Sequence, residues 1–267
     1  MVEINYKAVW DRDGFIVLRN AIEPAMGEAM LDYVTRLVRD HEPGSPEVLT
    51  VNAPDGSPVQ LACGSIIIPE KKPNPFAKNP EDHISKVFNL HRREAFKRFA
   101  ASPVIVDVLE QIMGPDIDCF QSQFIFKNAG AWGQPWHQDS YYMPLDQLPQ
   151  VGVWLAVTEA TLENGCLSVL PGSHREAIHD TVPDQRPGAN YGYVEIVDCD
   201  FSAAQPILMQ PGDVLIFHSF LMHRSEDNHS KGRRAAAVFH YARAGTQKTK
   251  DVDIYTFDFM PVRRRAE

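Results

Sequence analysis

Short β-type segments separated by turn residues fill the second half of the chain, and they restrict the folds that it can adopt. From residue 116 onward, runs rich in β-branched and aromatic residues occur at 120–127, 151–158, 167–170, 214–218 and 235–241. Pro-Gly dipeptides, which favour tight turns, lie between some of these runs. A series of short strands with turns between them is typical of a sandwich or barrel. We therefore predict a mainly β core over about residues 116–245.

The first part of the chain has a mixed pattern that predicts helices and one early strand. A strand is predicted at 14–18, and a helix from Pro24 to about residue 39, where apolar residues recur at helical spacing. A second helical pattern runs from about 82 to 113, with a break at Ser102-Pro103. Gly114 follows it and predicts the end of the helix.

Residues 41–80 predict a long loop region, because they contain eight prolines together with several glycines and asparagines. At most two short strands are expected within it, near 59–61 and 65–68. A loop of this length is typical of a lid or a linker. No internal repeat and no second unrelated domain are evident in the sequence. We therefore predict a single domain over 1–267, with a helical and loop-rich part over 1–115.

Composition and charge exclude several classes of protein. Hydrophobic residues make up 44% of the chain and charged residues 23%, which is typical of a globular protein rather than a disordered or disulfide-stapled one. The net charge of −9 predicts no binding to nucleic acid or to anionic membranes. Four scattered cysteines without a C-x-x-C pair suit a reducing compartment. Because we find neither a signal-peptide pattern nor a run of roughly 18 apolar residues, we predict a cytoplasmic protein.

The segment His137-Gln138-Asp139 carries the clearest chemical signal. In an extended chain, residues i and i+2 point to the same side about 6–7 Å apart, so this imidazole and this carboxylate can bind one metal ion. A third ligand must come from elsewhere in the chain. Two histidines and one carboxylate on one side of a metal leave three positions open, which suits oxygen-activating Fe(II) better than structural zinc.

The spacing alone leaves alternatives open. His174-Arg175-Glu176 is a rival His-x-carboxylate pair, although its place directly after a Pro-Gly corner favours a histidine that stabilises a turn. His218, His223, His229 and His240 compete for the third ligand position. His218 and His240 lie in apolar strand runs, which is typical of core residues or of residues that support a ligand. His229 lies in a polar turn and is predicted to face water.

Further motifs downstream extend this pattern over much of the chain. In order, they are His137-Gln138-Asp139, Tyr142, Pro144, Trp154, Asn164-Gly165-Cys166-Leu167, Leu170-Pro171-Gly172-Ser173-His174, Gly212-Asp213, His223-Arg224-Ser225 and Arg234. Their order and approximate spacing resemble those of the phytanoyl-CoA dioxygenase (PhyH) family of Fe(II)- and 2-oxoglutarate-dependent oxygenases, most strongly over 117–243. The resemblance implies a cupin-like jelly-roll core, a double-stranded β-helix, with helices of the first half packed against one sheet.

The resemblance also implies a role for individual residues. His137, Asp139 and His223 are the implied ligands of Fe(II). Arg234, eleven residues after His223, is the implied partner of the distal carboxylate of 2-oxoglutarate, and Ser225 is an implied hydroxyl donor to the same group. A planar guanidinium can bind a carboxylate through two parallel hydrogen bonds, which the ammonium of lysine does less well.

Trp154, Gln123 and Lys86 are further candidates to line or bind the cosubstrate, in falling order of support. Each also has a simpler interpretation. Trp154 equally suits the hydrophobic core, and Gln123 alternates with phenylalanines and suits the polar face of a strand. Lys86 lies near a predicted helix, where an exposed lysine is usual. Arg233 is predicted to face the opposite side of the strand from Arg234, in solvent or in an ion pair.

We therefore expect an enzyme that hydroxylates a small organic molecule while it converts 2-oxoglutarate and O₂ to succinate and CO₂. In related halogenases a small residue replaces the carboxylate ligand, so the presence of Asp139 favours hydroxylation. Desaturation, epoxidation or ring formation would use the same ligands. An acyl-CoA is the minority expectation for the substrate, because the acidic net charge gives no support for a polyanionic CoA handle.

Two other classes of protein stay open at this point. One is a non-oxidative metalloenzyme on the same scaffold that uses Zn²⁺ or Mn²⁺, because histidine and carboxylate ligands do not by themselves determine the metal. The other is a non-catalytic jelly-roll that binds a ligand, because a fold does not determine a function. The sequence predicts no oligomeric state.

Overall fold

The strands within the described residues form a ten-stranded sheet, a three-stranded sheet and a two-stranded ribbon in the computed structural model. The structure describes residues 5–41, 48–52, 58–72, 74, 76–187, 192–250 and 257–265. The helices are α1 (Tyr6–Asp13), α2 (Pro24–Asp40), α3 (Glu94–Ala100) and α4 (Pro103–Met113). The strands are β1 (Phe15–Leu18), β2 (Val48–Asn52), β3 (Pro58–Ala62), β4 (Ser65–Pro69), β5 (Ile84–Phe88), β6 (Ile117–Ile125), β7 (Val151–Ala156), β8 (Leu167–Val169), β9 (Val182–Pro183), β10 (Val194–Glu195), β11 (Gln205–Ile207), β12 (Val214–His218), β13 (His223–Ser225), β14 (Ala236–Arg243) and β15 (Met260–Arg263).

Two antiparallel sheets, one large and one small, pack face to face around one part of the hydrophobic core. The large sheet has the strand order β1-β12-β7-β14-β6-β5-β4-β3-β2, and β15 also pairs with β6. The small sheet has the order β11-β8-β13. Strands distant in sequence are therefore neighbours in space, as in a jelly-roll. The predicted mainly β, cupin-like fold with flanking helices is confirmed.

Side chains of the large sheet alternate between two environments, as the two-residue period of a strand requires. On β12, Val214 and Ile216 pack in a cluster with residues of all four helices. Leu215 and Phe217, on the opposite face, pack in a second cluster with residues of the small sheet. The helices thus cover one face of the large sheet. The other face forms one wall of the space between the two sheets.

The helix predicted over 82–113 is wrong in its first part. Residues Ile84–Phe88 form strand β5, which pairs with β4 on one side and β6 on the other. Their apolar residues Ile84, Val87 and Phe88 have spacings of three and four, so the sequence matched a helix as well. Pairing with two neighbouring strands decides the conformation, because it provides hydrogen bonds that a helix would otherwise supply within one segment.

The region 41–80 contains more β structure than its prolines predict. The short strands expected near 59–61 and 65–68 are confirmed as β3 and β4, and a further strand, β2, pairs with β3. Together they extend the large sheet beyond β5 as a meander. Parts of the predicted loop, residues 42–47 and 53–57, lie outside the described residues.

Gly152 on β7 permits a close approach between two strands. A Cβ atom at this position would lie 2.3 Å from Cζ of the Phe217 ring, which is well inside van der Waals contact. The Phe217 ring in turn packs edge-on against His223, with 4.9 Å between the ring centroids. We expect Gly152→Ala to lower the free energy of unfolding by about 1–3 kcal/mol, because the added methyl group overpacks a filled core.

Urea denaturation of Gly152→Ala and Gly232→Ala tests this expectation. Gly232 is the matched control, since nothing lies within 4 Å of a Cβ built there. Equal stability of the two variants would contradict the packing argument.

Candidate metal centre

Three side chains from distant parts of the chain converge at one end of the space between the sheets. His137, Asp139 and His223 each offer one ligand atom, and these atoms lie within 4.8 Å of one another. Nε2 of His137 is 3.5 Å and Nε2 of His223 is 3.6 Å from Oδ1 of Asp139. Within the described ranges this is the one such group of three histidine, cysteine, aspartate or glutamate residues.

Backbone pairing brings the two histidines together. His137 and His223 form an isolated antiparallel bridge, in which each backbone N–H donates to the carbonyl oxygen of the other at 3.0 Å. Gln138 is extended, and Asp139 begins a short 3-10 helix, Asp139–Tyr141. The extended conformation predicted for the His-x-Asp segment therefore holds up to the residue before the carboxylate. This places the carboxylate beside both imidazoles.

Hydrogen bonds orient both imidazole rings. Nδ1 of His137 donates to the carbonyl oxygen of Pro135 at 2.7 Å, and Nδ1 of His223 donates to that of Leu221 at 2.9 Å. The lone pair of each ring therefore lies on Nε2, the atom that faces Asp139. Such a bond from the second ring nitrogen is the usual support of a metal-binding histidine.

The electrostatics of the group favour a neutral histidine and an ionised carboxylate. Burial, together with the neighbouring His137, lowers the pKa of His223 to about 4, so its ring is neutral near pH 7. Burial opposes ionisation of Asp139, but the surrounding imidazoles, His223 first, hold the pKa of its carboxyl well below its usual range. Nε2 of His240 also contacts Oδ2 of Asp139 at 3.1 Å, which leaves Oδ1 turned toward the other two histidines.

The donor set fits a divalent transition metal. Cis ligands of a six-coordinate ion at bond lengths of ~2.1 Å lie roughly 3 Å apart, so small movements close the observed 3.5 and 3.6 Å separations onto one ion. Two imidazole nitrogens and one carboxylate oxygen on one side leave positions open for other ligands. This geometry is diagnostic of non-haem Fe(II) oxygenases.

A cavity adjoins the three side chains, and Arg234 lies in its wall. The guanidinium is buried, and its Cζ atom lies 5.3 Å from the centroid of the Trp154 ring. Its Nη2 donates to the carbonyl oxygen of Gly165 at 3.0 Å. Burial lowers the pKa of Arg234 to about 10, which still leaves it a cation near pH 7. In the described part of the chain, neither Nε nor Nη1 has a hydrogen-bond partner. Two unused donors on a buried cation fit a carboxylate.

The other predicted cosubstrate residues line the same cavity. Oγ of Ser225 accepts a hydrogen bond from the backbone N–H of Gln134, so its hydroxyl hydrogen is able to donate elsewhere. Trp154 is both core and wall, because its ring packs in the inter-sheet cluster and against Arg234. The buried Oε1 of Gln123 has no hydrogen-bond partner among the described residues.

Lys86 lies in the cavity wall, whereas Arg233 does not. The simpler interpretation of Lys86, an exposed residue near a helix, is wrong: it lies on β5 and its Nζ is 4.8 Å from the Tyr193 ring centroid in the cavity wall. Arg233 points away from Arg234 and pairs with Asp82. The structure therefore separates the two adjacent arginines as predicted.

The remaining histidines lie outside the group of three. His174 forms no pair with Glu176, whose carboxylate contacts His179 instead. Nδ1 of His218 accepts from the backbone N–H of Phe220, and His229 is exposed. These positions agree with the interpretation of His174 as a turn residue, His218 as a hydrogen-bonded, partly buried residue and His229 as a solvent-facing residue.

One residue of the cavity wall was missed by sequence reasoning. Lys127 follows β6 and is buried near Arg234, where Nζ donates to the carbonyl oxygens of Gly165 and Glu226. A single lysine after a strand carries no signal that distinguishes it from a solvated residue. Its burial depends on loops that come from residues about 40 and 100 positions later.

Solved structures with the same fold include oxygenases. The apo form of the non-heme monooxygenase ThoJ matches with a TM-score of 0.69 at 20% identity, covering 98% of this chain and 84% of that one. EctD from S. alaskensis with 2-oxoglutarate and 5-hydroxyectoine matches with a TM-score of 0.64 at 21% identity, covering 91% of this chain and 76% of that one. A curated relative, peroxisomal phytanoyl-CoA dioxygenase of Bos taurus, is 27% identical over 252 residues, 91% of this chain and 69% of the relative.

The jelly-roll fold and the two-histidine, one-carboxylate group together define an oxygenase of the non-haem Fe(II) class. A model of the phytanoyl-CoA dioxygenase (PhyH) family matches residues 10–236. The chain belongs to this family and is an Fe(II)- and 2-oxoglutarate-dependent dioxygenase, with O₂ as its oxidant. None of the helices in the described segments combines the length and the apolar composition needed to cross a lipid bilayer.

Proposed function

We propose that the protein hydroxylates a small organic molecule, with one oxygen atom of O₂ entering the product and the other entering succinate. In this proposal His137, Asp139 and His223 hold Fe(II), and Arg234 and Ser225 bind the distal carboxylate of 2-oxoglutarate. The observation that carries it is the common cavity: three metal-ligand atoms and two unused guanidinium donors line one space. When bound, iron and 2-oxoglutarate supply the oxidising chemistry.

The residues of the chain orient the reactants and exclude water. The carbonyl oxygens of Pro135 and Leu221 fix the two imidazole rings, and His240 fixes the carboxylate of Asp139. Trp154, Gln123 and Lys86 are proposed to line the binding site of the cosubstrate. Their apolar and polar surfaces shield a site in which charged contacts are stronger than in bulk water.

A non-oxidative metalloenzyme fits this cavity less well. Such an enzyme needs no dicarboxylic cosubstrate, so Arg234 would remain a buried cation without an anion. Leaving a buried charge uncompensated is costly. A non-catalytic binding protein is also less favoured, because the three candidate metal ligands and Arg234 line one cavity.

We propose a small molecule rather than an acyl-CoA as the substrate. The net charge of −9 gives no support for binding the polyanionic CoA group of an acyl-CoA. The relative from Bos taurus is named for phytanoyl-CoA, whereas the EctD structure contains 5-hydroxyectoine. An acyl-CoA therefore belongs in the substrate panel as the competing class.

Substrate-stimulated succinate formation tests the proposed function. The protein is incubated with Fe(II), ascorbate, 2-oxoglutarate and ¹⁸O₂, and with each member of a panel of small metabolites and acyl-CoAs. We expect succinate in proportion to a product that carries one ¹⁸O atom. Product without a new oxygen atom would favour desaturation or ring formation instead. Absence of succinate with every substrate, together with no binding of 2-oxoglutarate to the Fe(II)-loaded protein, would contradict the proposal.

We also propose one domain for 1–267 and a cytoplasmic location. The large sheet combines strands from both halves of the chain, which supports a single folding unit. All four cysteines are free thiols, which supports a reducing compartment. Cell fractionation tests the location, and recovery in the peroxisomal fraction would contradict it.

A further inference from the structure

A buried lysine and a buried arginine share one backbone oxygen at the end of the cavity. Nζ of Lys127 lies 3.3 Å from the carbonyl oxygen of Gly165, and Nη2 of Arg234 lies 3.0 Å from the same oxygen. Lys127 also donates to the carbonyl oxygen of Glu226. The ammonium group thus ties the loop before β8 to the loop after β13, directly behind the guanidinium.

No acidic side chain in the described segments lies within ion-pair distance of Lys127 or Arg234. The carboxylate of Glu226 pairs with Arg224, and that of Asp227 pairs with Arg186. Burial, with a further contribution from Arg234, lowers the pKa of Lys127 well below its ordinary value. Two neighbouring basic groups in a buried place are unfavourable in themselves, and an anion relieves the repulsion.

The local backbone is built around this contact. Gly165 has a φ of +75°, and a Cβ there would lie 2.2 Å from the carbonyl oxygen of Glu226 and 2.8 Å from Nζ of Lys127. The backbone oxygen of Lys127 accepts from the backbone N–H of Arg234 at 3.1 Å. Lys127 therefore holds Arg234 at both ends: the backbone directly, and the guanidinium through the oxygen of Gly165.

We propose that Lys127 is a positioning residue for the cosubstrate, which holds the Gly165 carbonyl oxygen so that Arg234 presents its unused donors to the distal carboxylate. The inference rests on the proposed function in one respect, the binding of that carboxylate by Arg234. Loss of the ammonium group releases the Gly165 carbonyl and leaves the guanidinium free to turn. Affinity for a ligand with a distal carboxylate then falls, whereas affinity for a ligand that binds the metal alone does not.

The binding of two inhibitors, one with a distal carboxylate and one without it, separates this positioning role from a general structural role. The Mn(II)-loaded protein is titrated with N-oxalylglycine, which has a distal carboxylate, and with oxalate, which has only the chelating end. Lys127→Met keeps the length of the side chain and removes its charge and its donors. We expect Lys127→Met to raise the Kd for N-oxalylglycine roughly tenfold or more and to change the Kd for oxalate less than about twofold. Lys97→Met, at an exposed position on α3, is the matched control and changes neither.

The outcomes distinguish failure of this proposal from failure of the proposed function. If the wild-type protein and Arg234→Ala bind N-oxalylglycine equally well, the assignment of Arg234 itself is wrong. If Arg234→Ala loses the preference for N-oxalylglycine but Lys127→Met keeps it, only the role of Lys127 is wrong. Equal weakening of both inhibitors by Lys127→Met also overturns the proposal. If Lys127→Met does not fold, Lys127→Gln, which keeps one donor, is expected to show a smaller selective loss of N-oxalylglycine.

Discussion

Replacing Asp139 with alanine removes turnover while the protein remains folded. The substitution deletes the one anionic ligand of the proposed iron site and leaves the two imidazoles of His137 and His223. Loss of a residue that only supports a metal ligand lowers affinity or activity 10–100-fold, so loss of the ligand itself is expected to lower Fe(II) affinity by more than about 100-fold. Succinate formation falls with it.

The fold tolerates this change because Asp139 lies at the cavity wall rather than in a hydrophobic cluster. Its removal does leave Nε2 of His240 without its contact to the carboxylate, so a modest loss of stability is expected. Metal content, succinate release and thermal unfolding together measure the three effects. A folded Asp139→Ala protein with full activity would remove Asp139 from the site.

Glu176→Ala is the matched control for this experiment. Glu176 belongs to the rival His174-x-Glu176 pair, but its carboxylate contacts His179 at 2.8 Å and lies outside the group of three. We expect normal metal content and activity. Loss of iron in Glu176→Ala with retention in Asp139→Ala would reverse the choice between the two motifs.

Replacing Arg234 with alanine raises the requirement for 2-oxoglutarate far more than replacing Arg233. Arg234 is buried in the cavity wall with two unused donors, whereas Arg233 pairs with Asp82 on the other side. Loss of two charge-assisted hydrogen bonds in a buried site corresponds to about 3 kcal/mol or more, which is on the order of 100-fold in KM for 2-oxoglutarate. Arg233→Ala loses a partly exposed ion pair, which contributes about 1 kcal/mol or less to stability.

Initial rates over a range of 2-oxoglutarate concentrations measure both variants. Arg234→Lys adds a further comparison, since an ammonium keeps the charge but loses the planar pair of donors, and an intermediate KM is expected. Similar KM values for Arg233→Ala and Arg234→Ala would show that the wrong arginine was chosen. The kcat at saturating 2-oxoglutarate is expected to fall less than kcat/KM, because binding of the cosubstrate is the step affected.

Residues with local signals were predicted well. The strands over 151–156 and 214–218 have runs of β-type residues bounded by turns, and each was placed within two residues of its observed ends. The convergence of His137 and Asp139 followed from their spacing, and the choice of His223 and Arg234 followed from the family resemblance. Both kinds of signal are contained in short segments or in their order along the chain.

Residues whose environment depends on distant segments were predicted less well. Residues Ile84–Phe88 have a helical spacing of apolar residues, yet they form a strand because β4 and β6 flank them. Lys127 carries no signal in the sequence, because the carbonyl oxygens that bind it belong to Gly165 and Glu226. His240 was predicted to be a core or supporting residue, but nothing in the sequence indicates that its ring contacts Asp139.

The amino-acid sequence was enough to predict the mainly β fold, the candidate metal ligands and the arginine proposed for the cosubstrate, because strand periodicity, turn residues and motif order are local or linear properties. Which groups support these residues became evident only from the three-dimensional structure. It showed that backbone pairing joins the segment of His137 to strand β13 at His223, and that Lys127 and Arg234 meet at one carbonyl oxygen. Hydrogen bonds and burial depend on which segments lie together in space, and linear spacing does not specify those contacts.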